Sequence, residues 1–297
     1  MDNFHKRFRN FNNFITSKFV FLNGILSIIV LGLILAFLIY NSLKFFTAYP
    51  IFDFLGGREW LPGSDTPKFG LLPLLVGSAI VSFGAIIIAV PLGVGAAIYI
   101  GELAPKPLRE ILKPVIEVLA SIPSVVIGFI GMTLLSGFVK NLFDLSTGLT
   151  ALTGSIMLAF MSLPTIVSIS EDAIHAVPDR YRVASVALGA DRWQTTYKTV
   201  VPAALSGIIA AIMLGLGRVI GETMTVLMVT GNSPRLVFSW LQPVRTITAT
   251  IAAEMGETVQ GGLHYSALFA IGLILFLITF CVNLTADRFV NRIREMG

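Results

Sequence analysis

Residues 19–43 form an unbroken run of twenty-five without a single charged side chain. As a helix rising 1.5 Å per residue, such a run reaches about 37 Å, more than the roughly 30 Å of hydrocarbon in a bilayer. Five further runs share this apolar character: 71–100, about 115–138, 152–170, 203–229 and 265–286. With 55% hydrophobic and 13% charged residues, the 297-residue chain is too apolar for a soluble domain. Six spans of about 21 residues would use roughly 126 residues, leaving loops and termini but no large soluble enzyme domain. The expected fold class is all-α, a polytopic membrane protein with six transmembrane helices. The first run lies behind eighteen polar-leaning residues, which reads as a retained span rather than a cleaved leader.

Lysine and arginine placement sets the orientation. Fourteen fall on one side of the six spans: Lys6, Arg7, Arg9 and Lys18, then Lys106, Arg109 and Lys113, then Arg180, Arg182, Arg192 and Lys198, and finally Arg288, Arg292 and Arg294. Six fall on the other: Lys44, Arg58, Lys68, Lys140, Arg235 and Arg245. The basic side is expected to be cytoplasmic, with both termini there, in the plasma (inner) membrane. The organisation then reads as a cytoplasmic segment 1–18, a first span 19–43, an external loop 44–70, a core 71–286 that includes a cytoplasmic loop 171–202, and a tail 287–297. In the external loop, Trp60 is expected to anchor at the interface. The stretch 247–260 fits either an interfacial helix or a re-entrant segment.

Several chemistries are disfavoured. Cys281 is the only cysteine, so no intrachain disulfide or cysteine-ligated metal site exists, and His5, His175 and His264 are far apart. Basic residues flank apolar runs without a stripe of interleaved aromatics, which argues against nucleic acid as a partner. No Gly-Lys dipeptide occurs, so this chain carries no phosphate-cradling ATP loop of the usual kind. No cofactor is expected in it.

The loop 171–202 has content. Pro178 and Asp179 suit a helix start, and Gly189 suits the left-handed turn that ends one. Asp191 can cap a second short helix, and Pro202 marks the start of span five. A helix, a glycine corner and a helix are therefore expected to project from the basic side. Tyr181, Trp193 and Tyr197 beside Arg180, Arg182, Arg192 and Lys198 suit a docking surface with a charged rim, and equally an interfacial helix on membrane lipid.

Span five places Arg218 and Glu222 amid apolar residues, four apart and so expected to pair on one helix face. An intramembrane charge must pair, snorkel or line a wet cavity. The pair is either a structural ion bridge or an electropositive step on a solute path, with Thr223 and Thr225 adding hydroxyls and Gly215, Gly217 and Gly221 removing bulk. Glu117 and Pro123 are candidates for a gate or hinge, Pro123 being expected to bend span three. Gly77, Gly84, Gly93 and Gly95 mark span two as a close-packing helix.

Three patterns carry a resemblance. Val183-Ala184-Ser185, Gly189 and, after nine residues, Thr199-x-Val201-Pro202 resemble the EAA loop of ABC-transporter permeases, with Ala184, Gly189 and Pro202 matching at the right spacing. The segment 217–224 resembles the Gly-Arg-x-x-Gly-Glu-Thr-Met stretch of phosphate ABC-transporter permeases, and Phe69-Gly70-Leu71-Leu72-Pro73 resembles the start of the PstC type rather than the PstA type. The resemblance spans about residues 70–286. It implies an ABC-importer permease (MetI-like) fold, no enzymatic activity in this chain, and a translocation pathway at Arg218, Glu222 and Thr223. The same resemblance makes Ala184, Gly189, Arg192, Trp193 and Pro202 a coupling loop seated on a cytoplasmic ATPase. The implied partners are a second permease (PstA type), a dimeric ATPase (PstB type) that binds ATP and Mg, and a phosphate-binding protein (PstS type). Permeases for molybdate, sulfate or phosphonate, and a gradient-driven anion transporter, are the competing readings.

Overall fold

A computed structural model describes the backbone of residues 2–296 and the side chains of residues 16–288; the terminal residues Lys6, Arg7, Arg9, Arg292 and Arg294 have side chains outside the described residues. Helix α1 (Asp2–Ala48) leads into a short α2 (Ile51–Gly56) and a two-stranded antiparallel hairpin, β1 (Trp60–Leu61) with β2 (Lys68–Phe69). Next come α3 (Leu72–Ile98), extended by a π-helical turn at Tyr99–Leu103, and α4 (Lys106–Ala120). Helices α5 (Ser124–Ile130) and α6 (Ser136–Leu142) are joined by a second π-helical turn, Gly131–Leu135, and precede α7 (Ala151–His175). An elbow follows, α8 (Asp179–Ala187) and α9 (Arg192–Thr195), which runs through a third π-helical turn into α10 (Val201–Gly221). The chain closes with α11 (Met224–Val229), α12 (Ile247–Glu254) and α13 (Leu263–Met296).

Among the described residues, six segments are long and apolar enough to cross a bilayer: Thr16–Ala48, Leu72–Leu103, Ser124–Leu142, Ala151–His175, Arg192–Gly221 and Leu263–Arg288. Helix α7 is their hub, because it is the most buried of the six, whereas α1 exposes apolar side chains nearly all round and packs along α13. Glycines set the close contacts. Added Cβ atoms at Gly84, Gly93 and Gly101 would strike Ser155, Ile166 and Ile174, so α3 and α7 run parallel in near contact. On the other side, Gly207 and Gly215 of α10 sit against Ala173 and Ile166, antiparallel to α7. Gly77 abuts the Arg245 backbone, but Gly95 faces open space and does not share the packing role expected of it.

The hairpin, α2 and the neighbouring ends of α1, α3, α12 and α13 form a cap over the end of the bundle opposite the elbow. Its core is aromatic: Phe45, Phe54, Trp60 and Phe69, with Leu71, Leu74, Ile247 and Leu268. Trp60 is 1% exposed, so it is no interfacial anchor; its ring packs edge-on against Phe69 and its Nε1 reaches Glu254. Gly70 lies against Gly57, where any side chain would strike backbone. The Phe-Gly-Leu-Leu-Pro stretch therefore serves the cap's packing.

The third span also departs from expectation. No continuous helix runs from Val115; α4 ends at Ala120, and α5 starts after Pro123, whose extended backbone caps it. A proline disfavours helical backbone in the residue before it and has no amide to give, so the helix stops instead of bending. Helix α4 lies along the elbow end of α7, its Lys113 bonded to Glu171 at 2.7 Å and Asp172 at 3.1 Å. The Glu171 hydrogen bond, ahead of the Asp172 bond and the attraction of both carboxylates, holds the Lys113 ammonium above its ordinary 10.5. A raised lysine contributes stability in full below its unfolded value and loses it only as pH climbs through the raised one. The α4–α7 clasp is thus expected to be indifferent to pH across the neutral range, whereas Lys113→Met should speed amide hydrogen exchange in α4 at every neutral pH. Glu171 and Asp172 accordingly close α7 and do not belong to the projecting elbow.

Finally, α12 neither lies on the surface nor continues a span. Ile247, Thr248, Ala249 and Thr250 are all buried, and the helix packs among α3, α11 and α13.

Candidate translocation site and coupling elbow

Span five is broken at its charged residues. Helix α10 stops at Gly221, Glu222 takes an extended backbone (φ −69°, ψ 134°), and α11 begins at Met224. Arg218 and Glu222 are therefore not on one helix, and the expected ion pair does not form. The Glu222 carboxylate instead accepts from the backbone amides of Met224 (3.1 Å) and Thr225 (3.2 Å). Those amides start a helix and have no intrahelical partner, so the carboxylate satisfies donors that would otherwise be left bare. The carbonyls at the break are met too: Thr248 donates to that of Glu222 at 2.7 Å and Thr223 to that of Gly221 at 3.3 Å.

Arg218 is half-buried, and its Nη1 donates to Thr165 Oγ1 on α7 at 3.2 Å. It makes no salt bridge among the described residues. Cβ atoms at Gly217 and Gly221 would meet nothing within 4 Å, and Leu214 is 56% exposed. Positions 214, 217, 218 and 221 share one helix face, so the guanidinium sits on a side of α10 that the described residues leave uncovered. With five donors and one of them used, it can offer a planar pair of hydrogen bonds to an oxyanion arriving on that face.

The break in span three lies against the break in span five. Thr225 Oγ1 donates to the Ser124 carbonyl at 3.0 Å and touches the Met161 sulfur, while Gly128 abuts Thr225 and Met228. Non-helical backbone within a membrane is tolerated where protein buries it or where it lines a watered cavity, and paired helix breaks are a recurrent way to build a solute site. Pro123 thus stands at the junction with Glu222 and Thr223. Glu117 does not; it is exposed on α4. Thr165 and Thr248 were not singled out from the sequence. Their only signal is a hydroxyl in apolar surroundings, and in Thr165 the preceding Pro164.

At the other end, α8 closes at Leu188, and Gly189 adopts φ +85°. Asp191 then caps α9 in a reciprocal box with Gln194. Leu188 is 90% exposed, with Val183, Val186, Trp193 and Tyr197 also outward, while Ala184 is exposed on α8 and Pro202 lies in the first turn of α10. Arg182 and Arg192 tie the elbow back to span two: Arg182 bonds the Glu102 carboxylate at 2.6 Å and the Ile174 carbonyl at 3.0 Å, and the exposed Arg192 donates to the Glu102 backbone carbonyl. The Glu102 hydrogen bond holds the Arg182 guanidinium above its ordinary value. Glu102, at the end of span two, is the elbow's tether and was missed in the sequence. Ser185 and Thr199, which depart from the EAA pattern's alanine and isoleucine, prove to be partners: Thr199 donates to Ser185 Oγ at 3.4 Å, and Thr195 donates to the same oxygen at 3.0 Å.

Residues 89–295 match the family described as binding-protein-dependent transport system inner membrane component. The chain is 42% identical over 228 residues to a probable ABC transporter permease protein, YqgH, of Bacillus subtilis, covering 77% of this chain and 74% of that protein. It is 40% identical over 261 residues to the phosphate transport system permease protein PstC of Mesorhizobium japonicum, covering 82% and 79%. Among solved structures it is similar to the bacterial alginate ABC transporter (TM-score 0.60, 16% identity, 91% of this chain and 94% of that one) and to the MetNI methionine ABC transporter in inward-facing form (0.56, 18%, 75% and 94%). Those two likenesses show the fold. The chain belongs to the inner-membrane permeases of binding-protein-dependent ABC importers and resembles the PstC-type phosphate permeases among them.

Proposed function

We propose that this chain is the PstC-type half of an ATP-driven importer of inorganic phosphate. The observation that carries the reading is Arg218: an intramembrane cation without a carboxylate partner among the described residues, one turn before paired helix breaks, on a face of α10 that those residues leave open. A second permease of PstA type would cover that face and complete the pathway. The elbow end is cytoplasmic on this reading, which agrees with the lysine and arginine bias, and the cap faces the binding protein of PstS type. A PstB-type ATPase would bind ATP and Mg and seat Leu188, Trp193 and Tyr197 in its groove. Its closure would move α8 and α9, and with them α10, because the elbow runs into α10 without a loop.

Selectivity for phosphate rests on the relatives and on the 217–224 segment; guanidinium chemistry also suits molybdate, sulfate or phosphonate. Reconstitution of the chain with PstA-, PstB- and PstS-type partners should give ATP-dependent uptake of labelled phosphate over sulfate and molybdate. Uptake without ATP, or equal uptake of all three anions, would overturn it. Thr165 gives a finer check. Thr165→Val removes the hydroxyl that aims Arg218 and keeps the shape, so KM for uptake is expected to rise about tenfold from one lost charge-assisted hydrogen bond, with Thr165→Ser close to normal.

A further inference from the structure

The break at Glu222 is held from the cap. Helix α12 touches it at one end, where Thr248 Oγ1 donates to the Glu222 carbonyl and Ser78 Oγ takes the Ile247 amide. At its other end, Glu254 is the meeting point of three further segments. Its carboxylate accepts from Arg245 Nη1 at 2.6 Å and from Trp60 Nε1 of the hairpin at 3.1 Å, and lies 2.8 Å from His264 Nε2 at the start of α13. Arg245 also binds the Asn232 carbonyl, in the strap that leads back to α11. Every oxygen of a largely buried carboxylate is thus engaged, and a buried acid so engaged resists displacement. Between the two ends runs a helix whose first turn, Ile247 to Thr250, is buried.

We propose that α12 is a strut, and that Glu254 and Thr248 are positioning residues which set the geometry of the Glu222 break from the cap side. Both act through α12; neither contacts solute. Resting on the importer reading above, the strut links the surface where a binding protein would dock to the backbone that carries Arg218 and Glu222. Thr248 is held at 3.2 Å by Thr246, the residue that caps its helix, so its hydroxyl has little freedom to follow the break unless the helix moves as a body.

The test is a double-substitution cycle in the reconstituted four-component complex, reading phosphate uptake alongside co-purification of the partners. Thr248 and Glu254 are six positions apart, about 9 Å along a helix, and substitutions that far apart without shared contacts ordinarily act independently. Thr248→Val and Glu254→Gln should each lower uptake about tenfold with the complex assembled, and Thr248→Ser should restore it. The double variant should be no worse than either single one. A product near a hundredfold, normal uptake in both singles, or failure of Thr248→Ser to rescue would overturn the strut. Should Glu254→Gln disrupt assembly, His264→Phe removes one contact to the same carboxylate while keeping a ring in place, and the same cycle is run with it. An unsubstituted complex that moves no phosphate would sink the importer reading itself, whereas active transport with independent substitutions would sink the strut alone.

Discussion

Arg218→Ala is expected to lower ATP-driven phosphate uptake by roughly two orders of magnitude while the complex still assembles. Hydrogen bonds to a charged group contribute about 1.5–3 kcal/mol each, so losing a planar pair on an oxyanion is ample for that effect. Assembly should survive because the guanidinium makes a single side-chain contact, to Thr165, and no ion pair among the described residues. Removing it strands no buried carboxylate: Glu222 is already bonded to the Met224 and Thr225 amides. Were Arg218 a structural bridge, the alanine variant would instead reduce membrane levels of the chain and leave transport per molecule unchanged. Arg218→Lys separates charge from shape. A point charge cannot reproduce a bidentate contact, so partial loss is expected. Counting assembled complexes by partner co-purification and measuring uptake in the same vesicles distinguishes these outcomes.

Gly189→Val is expected to uncouple ATP hydrolysis from uptake. The residue has φ +85°, and a Cβ built there meets nothing within 4 Å, so the penalty is purely one of backbone conformation. Holding a non-glycine residue in the left-handed region costs about 1–3 kcal/mol, more at a β-branched residue. The elbow would relax by changing the angle between α8 and α9, displacing Leu188 and Trp193 relative to each other and lowering ATPase association. Gly189→Asn, which tolerates that region better, should keep most of the coupling. Co-purification of the ATPase and ATP-dependent uptake are the two measurements; unchanged values for the valine variant would remove the elbow from the coupling path.

Local chemistry was legible where one side chain and its neighbours suffice. Six apolar runs, the Gly189 corner, the Asp191 cap and the outward aromatics of the elbow were all read from residue type and spacing. The family was suggested by the resemblance of three short stretches to known permeases. What spacing could not reveal was where a helix yields to competing partners. Arg218 and Glu222 are four apart, which favours an ion pair only if the helix continues, and its continuation was decided by Thr248, Thr223 and Ser124, supplied from the chain's fold and its local turn. Trp60 was misplaced for the same reason. An indole in a turn-rich loop suits a membrane interface until Glu254, 194 residues away, offers its Nε1 a buried acceptor.

By itself, then, the amino-acid order determined the class of the protein: the number of apolar runs, their bias in positive charge, and the elbow between spans four and five. These depend on hydrophobic length and on backbone preferences of single residues, which act locally. Only the tertiary structure decided that spans three and five are interrupted side by side, that Arg218 looks out onto an uncovered face, and that α12 joins the cap to the break. Those features depend on which distant groups satisfy backbone amides and carbonyls withdrawn from water, a question that no window of neighbouring residues contains.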